Sequence, residues 1–241
     1  MFTVAIVGPD GAGKSTVIEG LRRSSPYPLR HIYMGVNPDA LTHMLPTTRL
    51  ANYLKRRKQH GKDTKLTNTT PKSRTDNMRS KRGNHKSILR HVKSLLFITN
   101  RIGEAWYRQM VCWYYLLQGY IVLFDRHFYL DYLAFDFAHS DGERPFLRRV
   151  HDILLEKTYP RPDLTFYLDA PAEVLFARKG ESNVETLQHS REAYLKIGQY
   201  TPAFCVVDTT QSPEIVLETV LNHIKLYRET KNRHSRRLLI F

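Results

Sequence analysis

Residues 2–7, FTVAIV, form a short apolar run that stops at a glycine. A run without polar alternation is the pattern of a strand covered on both faces in a parallel sheet. A helical pattern follows, with Val17, Ile18 and Leu21 on one face. Residues 31–34 make a weaker second strand, and periodicity then vanishes until Ile88. From there Leu89, Val92, Leu95, Leu96, Ile98, Ile102, Trp106, Met110, Trp113 and Leu117 keep helical spacing as far as Gly119, which reads as the helix stop. Residues 120–124 (YIVLF), 164–168 and 204–207 predict three further strands. Helices are predicted over about 144–157, from Pro171 onward, over 185–197 and over 213–227.

Between the first strand and the first helix stands Gly8-Pro9-Asp10-Gly11-Ala12-Gly13-Lys14-Ser15, followed by Thr16. It fits G-x-x-x-x-G-K-[ST], a loop whose glycines let backbone N–H groups turn inward onto phosphates. The helix that follows starts with its positive end toward the anion. Lys14 would then reach the β- and γ-phosphates of a nucleoside triphosphate, and Ser15 would hold Mg²⁺. Asp10 is unusual in such a loop, since a carboxylate beside a triphosphate is electrostatically costly. It points either to a capped turn or to contact with a second substrate or metal-bound water.

Strand, glycine loop, helix and then alternating strands and helices predict an α/β chain with a five-stranded parallel sheet and helices on both faces. This is the three-layer sandwich of P-loop NTPases. Ligands in such sheets bind beyond the carboxyl ends of the strands, where Gly8, Asp125, Asp169 and Asp208 all stand. The 241 residues are expected to form one domain, with a basic insertion at about 36–87 and a basic tail at about 229–241.

The charge belongs to those two stretches. The net charge is +14, yet residues 49–93 hold 15 Lys and Arg against two acids, and the tail is basic as well. What remains is close to neutral. The stretch 58–86 has too few large apolar groups to offset its ordering entropy and is expected to be mobile. Its charge suits an anionic partner, nucleic acid included, without specifying one. No apolar run approaches the roughly 20 residues of a membrane span, and the N-terminus does not read as a signal peptide. Cys112 and Cys205 lie in apolar sequence and read as free thiols of a reducing cytoplasm. The aromatics Trp106, Tyr107, Trp113, Tyr114 and Tyr115 exceed what one buried helix face needs, which suggests a homodimer through that helix.

Four motifs in this order resemble the thymidylate kinase-like family of the P-loop nucleoside monophosphate kinases. They are GPDGAGKST with its internal Asp10, LLFITNR at 95–101, Asp125-Arg126-His127 after YIVLF, and PDLTFYLDAPAEVLFARKGE at 162–181. The resemblance covers residues 1 to about 35 and 88 to about 227. It implies that Asp10 contacts the acceptor sugar or its reacting oxygen, that Phe97 stacks on the acceptor base and that Arg101 hydrogen-bonds the base or acceptor phosphate. It further implies that Asp125 supports the Mg²⁺–water shell and that Arg126 bridges donor and acceptor phosphates. Arg178, with Lys179 or Arg191, would close over the donor as a lid. His127, Tyr129, Asp131 and Asp136 line the segment after Arg126, either shaping the acceptor pocket or serving as packing and surface residues. The segment after the second strand, HIYMGVNPDA, departs from the family pattern, since it has neither the arginine nor the glycine pair of R-E-P-G-G.

The expected activity is Mg²⁺-dependent transfer of the γ-phosphoryl of ATP to a small acceptor, a nucleoside monophosphate or related nucleotide or nucleoside. The alternative is an NTPase or polynucleotide-end kinase that binds nucleic acid through the basic insertion.

Overall fold

The computed structural model describes residues 1–35, 43–50, 53, 83–127, 130, 160–180 and 182–238, with the backbone alone at 83–98, 101 and 234–238. Five strands form one parallel sheet: β1 Thr3–Val7, β2 Leu29–Tyr33, β3 Ile121–Asp125, β4 Leu164–Asp169 and β5 Phe204–Asp208. Their order is β2-β3-β1-β4-β5. The helices are α1 Lys14–Ser24, α2 Gly83–Leu117, α3 Ala172–Lys179, α4 Val184–Gly198 and α5 Pro213–Leu238. The expected α/β sandwich with five parallel strands is therefore the fold.

β1 lies at the centre because both its faces are apolar, and every one of its residues is buried. Val4, Ile6, Leu123, Phe166 and Leu168 meet Val17, Leu21, Val216 and Val220 of α1 and α5 in one continuous core. From β1 the chain builds β2 and β3 on one side, then crosses to β4 and β5 on the other. The order thus reverses at β1, and its carboxyl end becomes the natural ligand crevice.

Several boundaries differ from expectation. Strand β2 starts two residues earlier than its apolar pattern, because an edge strand needs only its inward positions to be apolar, and Ile32 is the one that is buried. Helix α2 starts at Gly83 rather than Ile88, and ends before Gly119, whose φ of 91° is left-handed. Helix α5 does not stop at Tyr227 but runs to Leu238. Its basic side chains have partners on the body of the fold. Lys231 donates to Asp163 at 2.8 Å, and the Arg228 guanidinium sits 4.4 Å from the Tyr27 ring centroid. Asp163 also accepts from the backbone and hydroxyl of Thr3. Part of the basic tail is thus a docked helix. Cys112 is buried and Cys205 half-buried; both are free. The expected helix at 144–157 and most of the basic insertion, residues 36–42 and 54–82, lie outside the described residues.

The chain divides into two compact units, one of residues 1–42 with 110–241 and one of residues 43–109. The first holds the sheet. Within the second, the buried Glu104 carboxylate accepts from the Leu45 backbone at 3.2 Å and the Thr48 hydroxyl at 2.9 Å. Arg108 donates to the same carboxylate and to the His43 carbonyl, so one ion pair ties the 43–50 segment to α2.

Candidate active site

The site is built on the carboxyl ends of β1 and its neighbours. After Val7 the backbone turns at Gly8 with φ 151°, where a Cβ would stand 2.6 Å from the Leu168 carbonyl oxygen of β4. Only glycine lets the loop leave β1 so close to β4. Gly13 is the N-cap of α1. The Lys14 side chain is buried and folds back, donating to the carbonyls of Gly8 at 2.8 Å and Pro9 at 2.7 Å. The loop therefore wraps an ammonium at the N-terminus of a helix, a cradle of the charge and shape a phosphate requires. Ser15 is exposed on the first turn of α1.

Asp10 is where the cations meet. Arg126 Nη2 donates to its carboxylate at 2.8 Å, and the ammonium groups of Lys14 and Lys179 each lie 3.8 Å away. Burial pushes the Asp10 carboxyl up, but Lys14, Arg126 and Lys179 together outweigh it and hold it below the usual carboxylate range. Arg126 reaches the loop from the residue after β3, with a left-handed φ of 64°. Its stem passes so close to Gly35 that a Cβ there would stand 2.8 Å from Arg126 Cδ.

Asp125 ends β3, its carboxylate 3.7 Å from His31 Nε2. Asp125 and Ser15 suit a Mg²⁺, which keeps most of its water and takes one or two protein oxygens beside substrate phosphates. Among the described residues no three acidic, His or Cys side chains gather into a fuller metal cage. His127, next along, is fully buried, and burial holds its imidazole down to about 3. Its imidazole is therefore neutral near pH 7.

On the other side of the loop a cavity of about 310 Å³ is lined by Gly13, Thr16, Arg178, Thr209, Gln211 and Pro213 among others. Arg178 Nη2 donates to the Thr209 carbonyl at 2.7 Å. Arg191, by contrast, is taken up by Asp169, with Nε and Nη2 each 2.7 Å from a different carboxylate oxygen. The three candidate lid residues thus part company: Arg178 borders the cavity, Lys179 approaches Asp10, and Arg191 pairs with Asp169.

Thr209, Gln211 and Pro213 were not singled out by sequence reasoning; their signal was their place just past Asp208 at the end of β5. Phe97 and Arg101 belong to the second unit, and their side chains lie outside the described residues. Tyr129, Asp131 and Asp136 do so entirely.

The family model described as Thymidylate kinase matches residues 46–220, more than half of the chain. The chain belongs to the thymidylate kinase family. That match starts beyond the glycine loop, so the loop and the family are independent observations. The chain is similar to the thymidylate kinase of Acinetobacter baylyi (strain ATCC 33305 / BD413 / ADP1), 36% identical over 74 residues. That alignment covers 27% of this chain and 37% of the relative. It is also similar to the thymidylate kinase of Thermosipho africanus (strain TCF52B), 23% identical over 159 residues, 61% of this chain and 74% of the relative. The chain thus spans little more than a third of the first relative and about three quarters of the second. The thymidylate kinase family is one of ATP-dependent phosphotransferases, the class expected from the loop and the motifs. No helix among the described residues is long and apolar enough to cross a membrane.

Proposed function

We propose that this chain is a cytoplasmic, Mg²⁺-dependent kinase that moves the γ-phosphoryl of ATP to a nucleoside monophosphate or a related nucleotide or nucleoside. The observation that carries the reading is the ion pair between Asp10 of the loop and Arg126 of the next strand end, at 2.8 Å. A phosphate-binding loop alone would suit hydrolysis as well. A guanidinium aimed across that loop supplies a second positive group on the far side of the transferring phosphoryl, where an acceptor would stand.

In this reading an acceptor oxygen attacks the γ-phosphorus, the bond to the β–γ bridging oxygen breaks, and ADP leaves. Such transfer calls for positioning and neutralisation of oxygen charge more than for covalent help. Lys14 and the loop N–H groups hold the donor phosphates. Arg126, whose planar fork suits phosphate, spans donor and acceptor. Asp10 keeps Arg126 in place and offers its free oxygen to the acceptor. Lys179 adds positive charge on the donor side, and the cavity bordered by Arg178 and Gln211 takes the donor base. Bound Mg²⁺, held through Ser15 and the water shell of Asp125, would offset phosphate charge. Phe97 and Arg101 are proposed as acceptor contacts on the strength of the LLFITNR motif.

The test is a screen of nucleoside monophosphates, nucleosides and sugars with labelled ATP. Transfer to a nucleotide or nucleoside, abolished by Lys14→Ala, is expected. A folded chain that binds ATP yet phosphorylates no acceptor would sink the reading.

A further inference from the structure

Asp169, the last residue of β4, is engaged on both its side chain and its backbone. Its carboxylate accepts the Arg191 fork, one nitrogen on each oxygen at 2.7 Å, and the Tyr167 hydroxyl at 3.2 Å. Its carbonyl accepts from the Thr209 backbone N–H at 2.8 Å and from the Thr209 hydroxyl at 2.9 Å. The carbonyl of Thr209 in turn accepts from Arg178 at 2.7 Å, at the edge of the donor cavity.

A bidentate carboxylate–guanidinium pair fixes direction as well as distance. This one is mostly out of water, the side chains 22% and 16% exposed. Beside it, the Tyr167 ring of β4 stacks on Tyr194 of α4 with centroids 5.2 Å apart. Helix α4 is therefore fastened to the end of β4 at two points one turn apart. Helix α3, which carries Arg178 and Lys179, packs against α4.

We propose that Asp169 is the positioning residue of the donor side. Its carboxylate removes Arg191 from the groups free to bind phosphate and uses it to seat α4, and with it α3. Through Thr209, its carbonyl aims Arg178 into the donor cavity. Arg178 and Lys179 are then the lid cations, and Arg191 is a strut. The inference rests on the kinase reading above. The competing view, in which Arg191 is parked on Asp169 and released to grip the donor, predicts the opposite sign.

The experiment is calorimetric titration of ATP into the full chain, with no acceptor needed, for the wild type, Asp169→Asn, Arg191→Lys and Thr209→Val. Asp169→Asn and Arg191→Lys should each weaken ATP binding about tenfold, because an amide or an ammonium cannot complete the charged fork. Thr209→Val, which removes one of two bonds to the same carbonyl, should weaken it about threefold. Once an acceptor is known, KM for ATP should rise in these variants while kcat at saturation changes less than about twofold. Unchanged or tighter ATP binding in Asp169→Asn overturns the proposal. If that variant does not fold, Thr209→Val decides, since it leaves Arg191 untouched: unchanged ATP binding there overturns the proposal. A wild-type chain that binds no ATP overturns the kinase reading itself, and this inference with it.

Discussion

The Arg126 guanidinium donates to the Asp10 carboxylate at 2.8 Å, joining the end of β3 to the loop that follows β1. The two residues are 116 positions apart in the chain, and the pair is only part-buried. Arg126 holds a left-handed backbone at φ 64°, a conformation costing a non-glycine residue about 1 kcal/mol or more. The Arg126 N–H is held by the Ile6 carbonyl of β1 at 3.1 Å, which keeps that backbone in place.

Replacing that arginine therefore separates catalysis from stability. Arg126→Gln is expected to lower kcat by about 10²–10³, the range for loss of one preorganised charge-stabilising donor. Thermal stability should hardly change, because a part-exposed ion pair contributes little. Steady-state kinetics beside a melting curve checks both, and a variant with undiminished kcat would remove Arg126 from the mechanism.

Gly8 makes a second, steric prediction. A methyl group there would sit 2.6 Å from the Leu168 carbonyl oxygen, so Gly8→Ala must move the loop away from β4. Loss of ATP binding is expected, with destabilisation of about 1–3 kcal/mol. Denaturant unfolding and nucleotide titration read the two effects separately. Full ATP affinity in this variant would show that the loop tolerates the shift.

His127 makes stability depend on pH. Its imidazole is lowered from 6.5 to about 3 by burial, so the folded chain keeps it neutral while the unfolded chain protonates it. Stability from this source is complete above pH 6.5 and is lost as pH falls toward 3. The slope is at most about 1.4 kcal/mol per pH unit. Asp10 and Asp163, both depressed, add their losses only near and below the ordinary carboxylate range. Melting temperatures between pH 7 and 5 should fall for the wild type and stay flatter for His127→Leu. Equal slopes in the two proteins would exonerate the histidine.

The last turns of α2 predict self-association. Met110, Trp113, Tyr114 and Leu117 are 62%, 43%, 58% and 88% exposed, and their spacing places them on one helical stripe. No charged residue occurs from Gln109 to Phe124, in a chain of net charge +14. A second copy therefore meets no like charge on this stretch. Light scattering should give a dimer at micromolar concentration, and Trp113→Lys with Leu117→Lys should give a monomer. A wild-type monomer at that concentration would leave the stripe without this role.

The chain's local order carried much of this. Apolar runs without alternation marked β1, β3 and β4, because a strand buried on both faces has no polar positions to show; β5 carries a similar run although it is an edge strand with Val206 exposed. The glycine spacing of 8–13 marked the loop, because backbone that turns sharply beside an anion tolerates no Cβ. Asp125 and Arg126 stood out by following a buried strand directly. Other features needed the tertiary structure. Asp169 meets Arg191 from 22 positions away and Thr209 from 40. Arg191 read as a third lid candidate because charge alone does not reveal which carboxylate will claim it. The basic end of α5 read as a tail, since its contacts with Asp163 and Tyr27 form only when distant segments fold together. The sequence by itself determined which elements form and where phosphate can be held, since both are set by neighbours within a few residues. Only the tertiary structure decided which charges pair across the sheet, since those pairs depend on distances that no local spacing contains.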